Sequence, residues 1–315
     1  YQDEGGQPVG AMFCTQPTEN GDIPLSAALK TALVHPLNRA LKGSVYRQEV
    51  YGEGVPVPYR VSETRPLLRL LQMPVWQDQA IIQPAVLEQH VWTYDGVASD
   101  PQATHQVLLA WDARGLPQYQ ASINAPRRAA PVCPFAAETA QAKWWAHSFD
   151  QQQDFWRIEE TRTQYQHREE AGFWRLGLPW QASTATLNLP VSLRPATDGI
   201  SYEFLKTEDG WLAANSAART ETGWQRVVLQ ADASGKPHPL GLPLYSESAE
   251  FDAEALTAYA GWLEGEALEQ ALLAAGYRRG ATGEPLWLLR SALSEYGDET
   301  QFFHLLRQRA SEAHP

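Results

Sequence analysis

The stretch from Ala40 to Arg65 constrains the fold more than any other part of the chain. It reads A-L-K-G-S-V-Y-R-Q-E-V-Y-G-E-G-V-P-V-P-Y-R-V-S-E-T-R, and a short alternating run lies on each side of Gly52-Glu53-Gly54. Alternation with a period of two is typical of a half-buried strand, and glycine permits the backbone to reverse between two strands. The pattern therefore predicts a β-hairpin.

Short runs of the same kind continue to about Tyr245. The turn Asp112-Ala-Arg-Gly115-Leu-Pro117 has a counterpart at Asp232-Ala-Ser-Gly235-Lys-Pro237, where Asp can bond the turn backbone and Gly supplies positive φ. Hairpins of this kind build the curved β shells of YD- and Rhs-type repeats, although two ordinary hairpins explain the two copies equally well. The predicted strands are 86–94, 106–112, 118–123, 155–165, 173–178, 202–206, 211–214 and 225–230.

Three segments follow from these patterns. Residues 1–35 are rich in Gly, Pro, Gln and Thr and are predicted to be an irregular connector, with one short helix capped by Ser26 and ended by Pro36. Residues 36–247 are predicted to form a β-rich shell segment. Residues 248–315 are predicted to be a small helical α/β segment, with helices over 252–260 and 264–275 followed by Gly276, and further elements over 286–289 and 301–308. The predicted fold is mainly β, with antiparallel hairpins in a curved, shell-like sheet and a small C-terminal α/β part.

Composition excludes several classes of partner. The 315 residues carry a net charge of -12 with a pI near 5.1, so the chain lacks the basic face that nucleic acid or an anionic membrane requires. The sequence has no apolar run near the roughly 18 residues of a membrane span, and no signal peptide is visible. Because the chain opens on Tyr1, we expect it to be a piece of a longer polypeptide. A Cys14–Cys133 disulfide is possible, but two separate free thiols are favoured.

The sequence lacks the common catalytic motifs. It contains no G-x-S-x-G, H-E-x-x-H, P-loop or G-x-G-x-x-G pattern, so we predict no enzyme activity, no cofactor and no metal. Glu159-Glu160 and Glu169-Glu170 suggest the paired carboxylates of a glycosidase. Adjacent strand residues point to opposite faces, however, so solvated strand faces explain the doublets better.

Tryptophan supplies the one candidate contact surface. Exposed tryptophans can form a sugar-binding platform, whereas tryptophan in a sheet-rich protein more often fills the core. We predict an aromatic contact surface from five of the 12 tryptophans: Trp144, Trp145, Trp156, Trp174 and Trp180. The core interpretation stays open beside it.

Several stretches, in order, resemble one family. The run from Ala40 to Arg65 is similar to a family signature of the form RALKG…R.E.YG…PY.VSE.R, and 87–128 is similar to a segment containing ASDPQ and ending in PRR. Further similar stretches are 149–167, 175–179, 256–277 and 295–303. From Pro36 to Phe303 the chain resembles the middle/C-terminal region of the B component of bacterial Tc (insecticidal ABC-type) toxin complexes. The first 34 residues match poorly, and Ala125 stands where the family has Tyr.

The resemblance implies a structural role. In that family the B and C components form a hollow β-rich shell that encloses the toxic C-terminal enzyme of the C component until delivery through the A-component channel. This chain would then be a non-catalytic part of the shell, with the C component, its enclosed toxin domain and the A component as partners, and it would be secreted as part of the complex. Aromatic residues could line the cavity and hold unfolded cargo. The alternative is a stand-alone carbohydrate-binding or adhesion module that uses the Trp-rich stretch 144–180.

Overall fold

The computed structural model describes residues 12–74, 79–94, 98–127, 132–147, 151–170, 173–193, 200–206, 211–231, 235, 241–279 and 287–291. In these ranges 13 strands form one open, mostly antiparallel sheet. The strands are β1 (Phe13–Thr18), β2 (Gly21–Pro24), β3 (Arg47–Val50), β4 (Arg60–Gln72), β5 (Ile81–Thr93), β6 (Gln102–Trp111), β7 (Pro117–Asn124), β8 (Phe155–Glu170), β9 (Phe173–Pro190), β10 (Arg219–Leu229), β11 (Pro243–Phe251), β12 (Tyr277–Arg279) and β13 (Trp287–Arg290).

The helices are short. They are α1 (Ala27–Ala32), α2 (Val34–Ala40), α3 (Ala140–His147), α4 (Tyr202–Lys206), α5 (Trp211–Ala214), α6 (Ala253–Leu256) and α7 (Gly265–Ala274). The strand order is β12-β13-β11-β10-β9-β8-β7-β6-β5-β4-β1-β2, with β3 paired to β4. Most neighbours pair antiparallel, while β1 pairs with β4 in parallel. The predicted fold class, mainly β with antiparallel hairpins and a small C-terminal α/β part, is confirmed.

The predicted hairpin at Ala40–Arg65 forms as β3 and β4. Arg47 pairs with Glu63 and Val50 with Arg60, and Gly54 in the connection has a φ of +71°. Gly52 is required for a second reason, since a Cβ there would lie 2.7 Å from the hydroxyl of Tyr59. The glycines therefore supply both the left-handed backbone and the close approach of a ring.

The turn between β6 and β7 also forms as predicted. Asp112 Oδ1 accepts hydrogen bonds from the backbone N–H groups of Arg114 (2.9 Å) and Leu116 (2.8 Å), and Gly115 has a φ of +85°. In the matching turn Gly235 has a φ of +78°, while Asp232 and Pro237 lie outside the described residues. The first copy thus uses Asp and Gly in the roles that the sequence predicts.

Two predicted strands are helices instead. Residues 202–206 form α4 and 211–214 form α5, whereas the sequence predicted a strand for each. Tyr202 and Leu205 are both buried. A spacing of three places two side chains on one helix face but on opposite strand faces, so burial of both favours the helix. The prediction was wrong because such short runs carry no clear period.

The N-terminal segment holds more regular structure than expected. Ser26 caps α1 as predicted, and its hydroxyl accepts from the N–H of Leu29 at 3.2 Å. Pro36 does not end the helical region; it lies in the first turn of α2, where a missing N–H costs nothing. In place of an irregular connector, the described part of 1–35 contains β1, β2 and α1. The three segment boundaries themselves stay a prediction.

The chain divides into two compact units. Unit 1 comprises 1–162 and 184–220, and unit 2 comprises 163–183 and 221–315. In unit 1 both faces of β4 are covered: Leu67 belongs to a core that includes α4 and α5, whereas Leu68 and Leu70 pack with Leu33 and Leu37 of the α1–α2 region. Burial on both faces explains the run Leu67-Leu68-Arg69-Leu70 in β4, while Leu71 at its end is exposed.

Unit 2 contains β11, β12, β13 and the helices α6 and α7. Glu247 of β11 lies between Arg226 and Arg290 in register and pairs with both, at 2.6 Å and 2.7 Å. Leu272 of α7 is buried, and Gly276 follows that helix with a φ of +93°, as predicted. The second predicted helix is therefore confirmed with its C-terminal glycine. The predicted element at 301–308 lies outside the described residues.

Both cysteines are free: Cys14 is buried and Cys133 is partly buried, so the favoured prediction of two separate thiols is confirmed. Among the described residues, no helix is both long enough and apolar enough to cross a membrane.

Candidate functional site

A group of ionisable side chains in the described part of unit 1 lies close together on β5 and β6. His90 and His105 are direct cross-strand partners, and Glu88 lies two residues before His90 on β5. Side chains two apart on a strand share a face, so the carboxylate and both imidazoles meet on one side of the sheet. Glu88 and His105 are 4% and 5% exposed, respectively. We call Glu88, His90 and His105, with Arg65 of β4, the carboxylate–imidazole cluster.

Glu88 is held by three donors. Oε1 accepts from Nη1 of Arg65 at 2.7 Å, while Oε2 accepts from Nε2 of His105 at 3.0 Å and from the backbone N–H of Tyr202 at 2.9 Å. Because an ionised carboxylate only accepts hydrogen bonds, Nε2 of His105 carries the proton in this arrangement. A buried charge is tolerated only with such compensation.

The same arginine connects the cluster to α4. Nη1 and Nη2 of Arg65 donate to the two carboxylate oxygens of Glu203, at 2.9 Å and 2.6 Å. The guanidinium of Arg65 also lies 5.8 Å from the centre of the Phe13 ring. Arg65 and Glu88 therefore fasten the first turn of α4 to the sheet through one bidentate ion pair and one backbone hydrogen bond.

Burial and pairing shift the pKa values of Glu88 and His105. Burial opposes ionisation of Glu88, but the hydrogen bonds from His105 and Arg65, together with the ring of His90 at 3.9 Å, outweigh it and hold the pKa of Glu88 well below its usual range. For His105 burial is the larger influence and lowers its pKa to about 4, although the hydrogen bond to Glu88 acts in the opposite direction. Glu88 is therefore charged and His105 neutral near pH 7.

An aromatic stack completes the cluster. The ring of His90 lies between the rings of Trp92 and His105, with centroid distances of 5.5 Å and 3.9 Å and interplanar angles of 14° and 11°. The side chain of His90 is 29% exposed and has access to solvent, whereas Nδ1 of His105 is buried and finds no hydrogen-bond partner among the described residues. The two imidazoles thus share one stack in different environments.

The cluster is poorly arranged for a metal ion. Ligand atoms of Glu88, His90 and His105 lie within 4.8 Å of one another, which is the spacing of a three-ligand site. An imidazole coordinates through a lone pair in its ring plane, and the two ring planes are only 11° from parallel. Their lone pairs therefore do not converge, and Glu88 Oε2 is already occupied by two donors. The carboxylate of Glu88 is therefore satisfied by hydrogen bonds from the protein and does not need a metal ion.

Sequence reasoning missed this cluster. The alternation of 86–94 correctly places Glu88 and His90 on one strand face, but His105 joins them only through the register of β5 with β6. Nothing in the local sequence gives that register. The signal that could have found it is the E-x-H spacing on one predicted strand with a further His in the next.

The five tryptophans of the predicted contact surface differ in burial. Trp156 is 7% exposed and packs edge-on against Trp211 at 5.1 Å, so it belongs to the core of unit 1 and not to a contact surface. Trp144 on α3 is 72% exposed, and Trp145 beside it contacts the ring of Phe135. The core interpretation is thus correct for Trp156.

The other two tryptophans lie in unit 2. Trp174 and Trp180 are both on β9, the first 67% exposed and the second partly buried. Trp144, Trp145, Trp174 and Trp180 therefore remain candidates for aromatic contacts, in two groups that belong to different units.

The first glutamate doublet follows strand geometry. Glu159 is exposed, whereas Glu160 is 1% exposed and accepts from Nε of Arg219 at 2.5 Å and from the hydroxyl of Tyr119. The two carboxylates therefore face opposite sides of β8, as expected, and cannot act as a glycosidase pair. The side chain of Glu170 in the second doublet lies outside the described residues.

Comparison with known proteins adds a family. Residues 36–178 match the model of a family described as "Insecticide toxin TcdB middle/C-terminal region". This stretch makes up less than half of the 315 residues, and over it the chain resembles the TcdB middle/C-terminal family. No curated protein matches the chain. The match includes β3 to β8 and hence all the sheet residues of the carboxylate–imidazole cluster.

Solved structures extend the likeness beyond the family stretch. "Crystal Structure of TcdB2-TccC3-Cdc42" matches 96% of this chain with a TM-score of 0.80 and 26% identity. "Crystal Structure of TcdB2-TccC3 without hypervariable C-terminal region" matches 95% with a TM-score of 0.78 and 27% identity. "Structure of Photorhabdus luminescens Tc holotoxin pore, Mutation TccC3-D651A" matches 95% with a TM-score of 0.76 and 26% identity. The chain spans only 15%, 14% and 14% of these matched chains, respectively. The resemblance to a Tc toxin B component, middle/C-terminal region, is confirmed.

Proposed function

We propose that this chain is a non-catalytic wall segment of a Tc toxin B component, which together with a C component encloses a toxic enzyme before delivery. The observation that carries the proposal is the fold match over 96% of the chain, at a TM-score of 0.80, to a structure that combines TcdB2 with TccC3. A match of this extent supports the same architectural role for the TcdB-like segment. Such a wall keeps solvent and proteases away from the enclosed enzyme.

The internal pairing of the buried charges supports a structural role. Glu88, Glu160 and Glu247 are each held by arginine, and the partners come from other strands of the sheet. A catalytic carboxylate needs a free oxygen and a pKa near the working pH, whereas that of Glu88 is held far below that range. These groups fasten strands and helices together.

The proposed partners follow from the similar solved structures. The neighbouring structures contain TccC3, one of them lacks its hypervariable C-terminal region, and one is a holotoxin pore. For this chain we propose the C component and its enclosed toxin domain as direct partners, and the A-component channel as a partner through the rest of the assembly. By the same reasoning we propose that the chain belongs to a secreted complex.

The proposed wall function is tested by measuring whether the enclosed part of the C component is protected from a protease. The complete reading frame that holds this chain would be produced with a C component and treated with trypsin, and survival of the C component's C-terminal region would be followed by mass spectrometry. We expect protection in the native complex and rapid cleavage after denaturation. Leu187→Asp, at a position with 0% exposure, should abolish protection, while Leu71→Asp, at 46% exposure, should retain it. Equal cleavage of the cargo in native and denatured complexes would refute the wall.

The alternative, a carbohydrate-binding or adhesion module, depends on the exposed tryptophans. Trp144 and Trp174 are the two most exposed tryptophans of the 144–180 stretch. Binding on a glycan array that disappears with Trp144→Ala or Trp174→Ala would favour that module over the wall.

A further inference from the structure

The Trp92–His90–His105 stack is connected to α4 through Glu88. α4 packs against β6, the strand that carries His105. The backbone N–H of Tyr202 and Nε2 of His105 donate to the same oxygen, Oε2 of Glu88. Displacing the first turn of α4 removes one of these donors and admits water to the imidazole beside it. The environment of His105 is therefore coupled to the position of α4.

Charged groups lie beside the stack on β4, β5 and α4. β4 contributes Glu63, which pairs in register with His90, and Arg65, which binds Glu88. α4 contributes Glu203, which is paired with Arg65, and β5 contributes Glu88 itself. On β7 the residue in register with His105 is Ile123, which is apolar and 1% exposed. His105 thus lies where the polar cluster meets the hydrophobic core.

A proton added to His105 is poorly accommodated while α4 stays on the sheet. Nε2 of His105 already donates to Glu88, so the added proton goes to Nδ1, which is buried and has no hydrogen-bond partner among the described residues. The ion pair of the imidazolium with Glu88, at 3.0 Å, opposes that cost, whereas the neighbouring Ile123 is apolar and offers no acceptor.

We propose that the Trp92–His90–His105 stack is a proton-sensitive latch, in which protonation of His105 on mild acidification opens α4 from the sheet. The proposal stands on the geometry of unit 1 and is independent of the wall function. Because opening is coupled to uptake of one proton, the opening equilibrium constant rises about tenfold for each unit of pH below about 6.5. The opening equilibrium constant stops rising at the pH at which His105 also becomes protonated in the closed state.

Amide hydrogen exchange of the folded chain measures the opening of α4 directly. Deuterium uptake at 202–206 would be followed by mass spectrometry from pH 7 to pH 4.5 and corrected for the intrinsic pH dependence of amide exchange. We expect protection of α4 to fall about tenfold per pH unit, while α2, which packs on another core, keeps constant protection. Constant protection of α4 across this range would overturn the proposal.

Matched histidine variants separate the latch from general acid sensitivity. His105→Gln retains a donor near Oε2 of Glu88 but cannot titrate, so protection of α4 should become independent of pH. His35→Gln, at an exposed position on α2, should leave the wild-type slope unchanged. An unchanged slope in His105→Gln would also overturn the proposal.

A titration of the wild-type chain avoids any dependence on the variants. The ring proton resonance of His105 in the NMR spectrum should move with a midpoint below pH 5, together with the amide signals of α4. A midpoint near 6.5, or titration of His105 without change in α4, would contradict the latch.

Discussion

Arg69 donates from Nε and Nη2 to the two carboxylate oxygens of Asp22, 47 residues away in sequence, at 2.8 Å and 2.9 Å. The arginine is 0% exposed, and its remaining donors reach Gln83 Oε1 and the carbonyl oxygen of Ala113. One side chain therefore ties β2, β5 and the β6–β7 turn to β4. Burial opposes ionisation of Asp22, but the bonds from Arg69 and Thr15 hold its pKa below the usual value.

Removing the carboxylate should leave the guanidinium buried without its counter-ion. We expect Asp22→Ala to lower the free energy of unfolding by about 3–5 kcal/mol, the usual cost of breaking a buried ion pair from one side. Urea denaturation measures the change, with Glu19→Ala at an exposed position as the control. If both variants unfold at the same urea concentration, the buried guanidinium of Arg69 does not require the carboxylate of Asp22 as its counter-ion.

Gly115 should tolerate alanine less well than another glycine of equal backbone conformation. Gly115 and Gly43 have φ angles of +85° and +86°, but a Cβ at Gly115 would lie 2.6 Å from Nη1 of Arg69, whereas nothing lies within 4 Å of a Cβ at Gly43. Both variants should pay about 1 kcal/mol for the left-handed backbone, and Gly115→Ala about 1–3 kcal/mol more for the clash. Thermal unfolding of the two variants compares them. Equal melting temperatures would show that Arg69 moves aside freely.

Two tryptophans of the predicted surface should behave differently. Trp156→Ala removes a ring that packs on Trp211 and should destabilise the chain by about 3–5 kcal/mol, because it leaves a core cavity. Trp144→Ala changes a ring that is 72% exposed and should alter stability by less than about 0.5 kcal/mol. Chemical denaturation distinguishes them. A large loss in Trp144→Ala would place that ring in an unrecognised core.

The stability of unit 1 should fall as the pH drops from about 6.5 toward 4. The folded-state pKa of His105 is lowered to about 4, so in this window the unfolded chain binds more protons than the folded one. A shift of this size corresponds to about 3 kcal/mol of stability lost by pH 4. Glu88 also has a lowered pKa, and its contribution is lost progressively as the pH falls from the ordinary pKa of a glutamate toward the lower folded-state value, mostly below this window. Urea unfolding at several pH values should show a slope that His105→Gln reduces, and an equal slope in the variant would contradict this assignment.

The sequence predicted features that depend on local chemistry. Glycine at positive φ, Asp112 accepting its own turn backbone and Ser26 capping α1 each follow from a few adjacent residues. Alternation was also sufficient to place Glu159 and Glu160 on opposite faces of β8.

Features that depend on contacts between distant parts of the sequence were not predicted. Tyr202 and Leu205 became helical because α4 packs its buried face on β6, and the short run carries no sign of that contact. The cluster of Glu88 with His105 depends on the β5–β6 register, and Arg69 meets Asp22 through the parallel placement of β1 beside β4. The sequence similarity therefore identified the family better than local patterns identified its buried network.

The wall function is tested most directly by cryo-electron microscopy of the complete B-component reading frame assembled with a C component. We predict that the 13-stranded sheet described for this chain continues into neighbouring strands of a closed wall, with one face toward density of the enclosed C-terminal region. A reconstruction in which both faces of this sheet meet bulk solvent, with the C-component cargo elsewhere, would contradict the account.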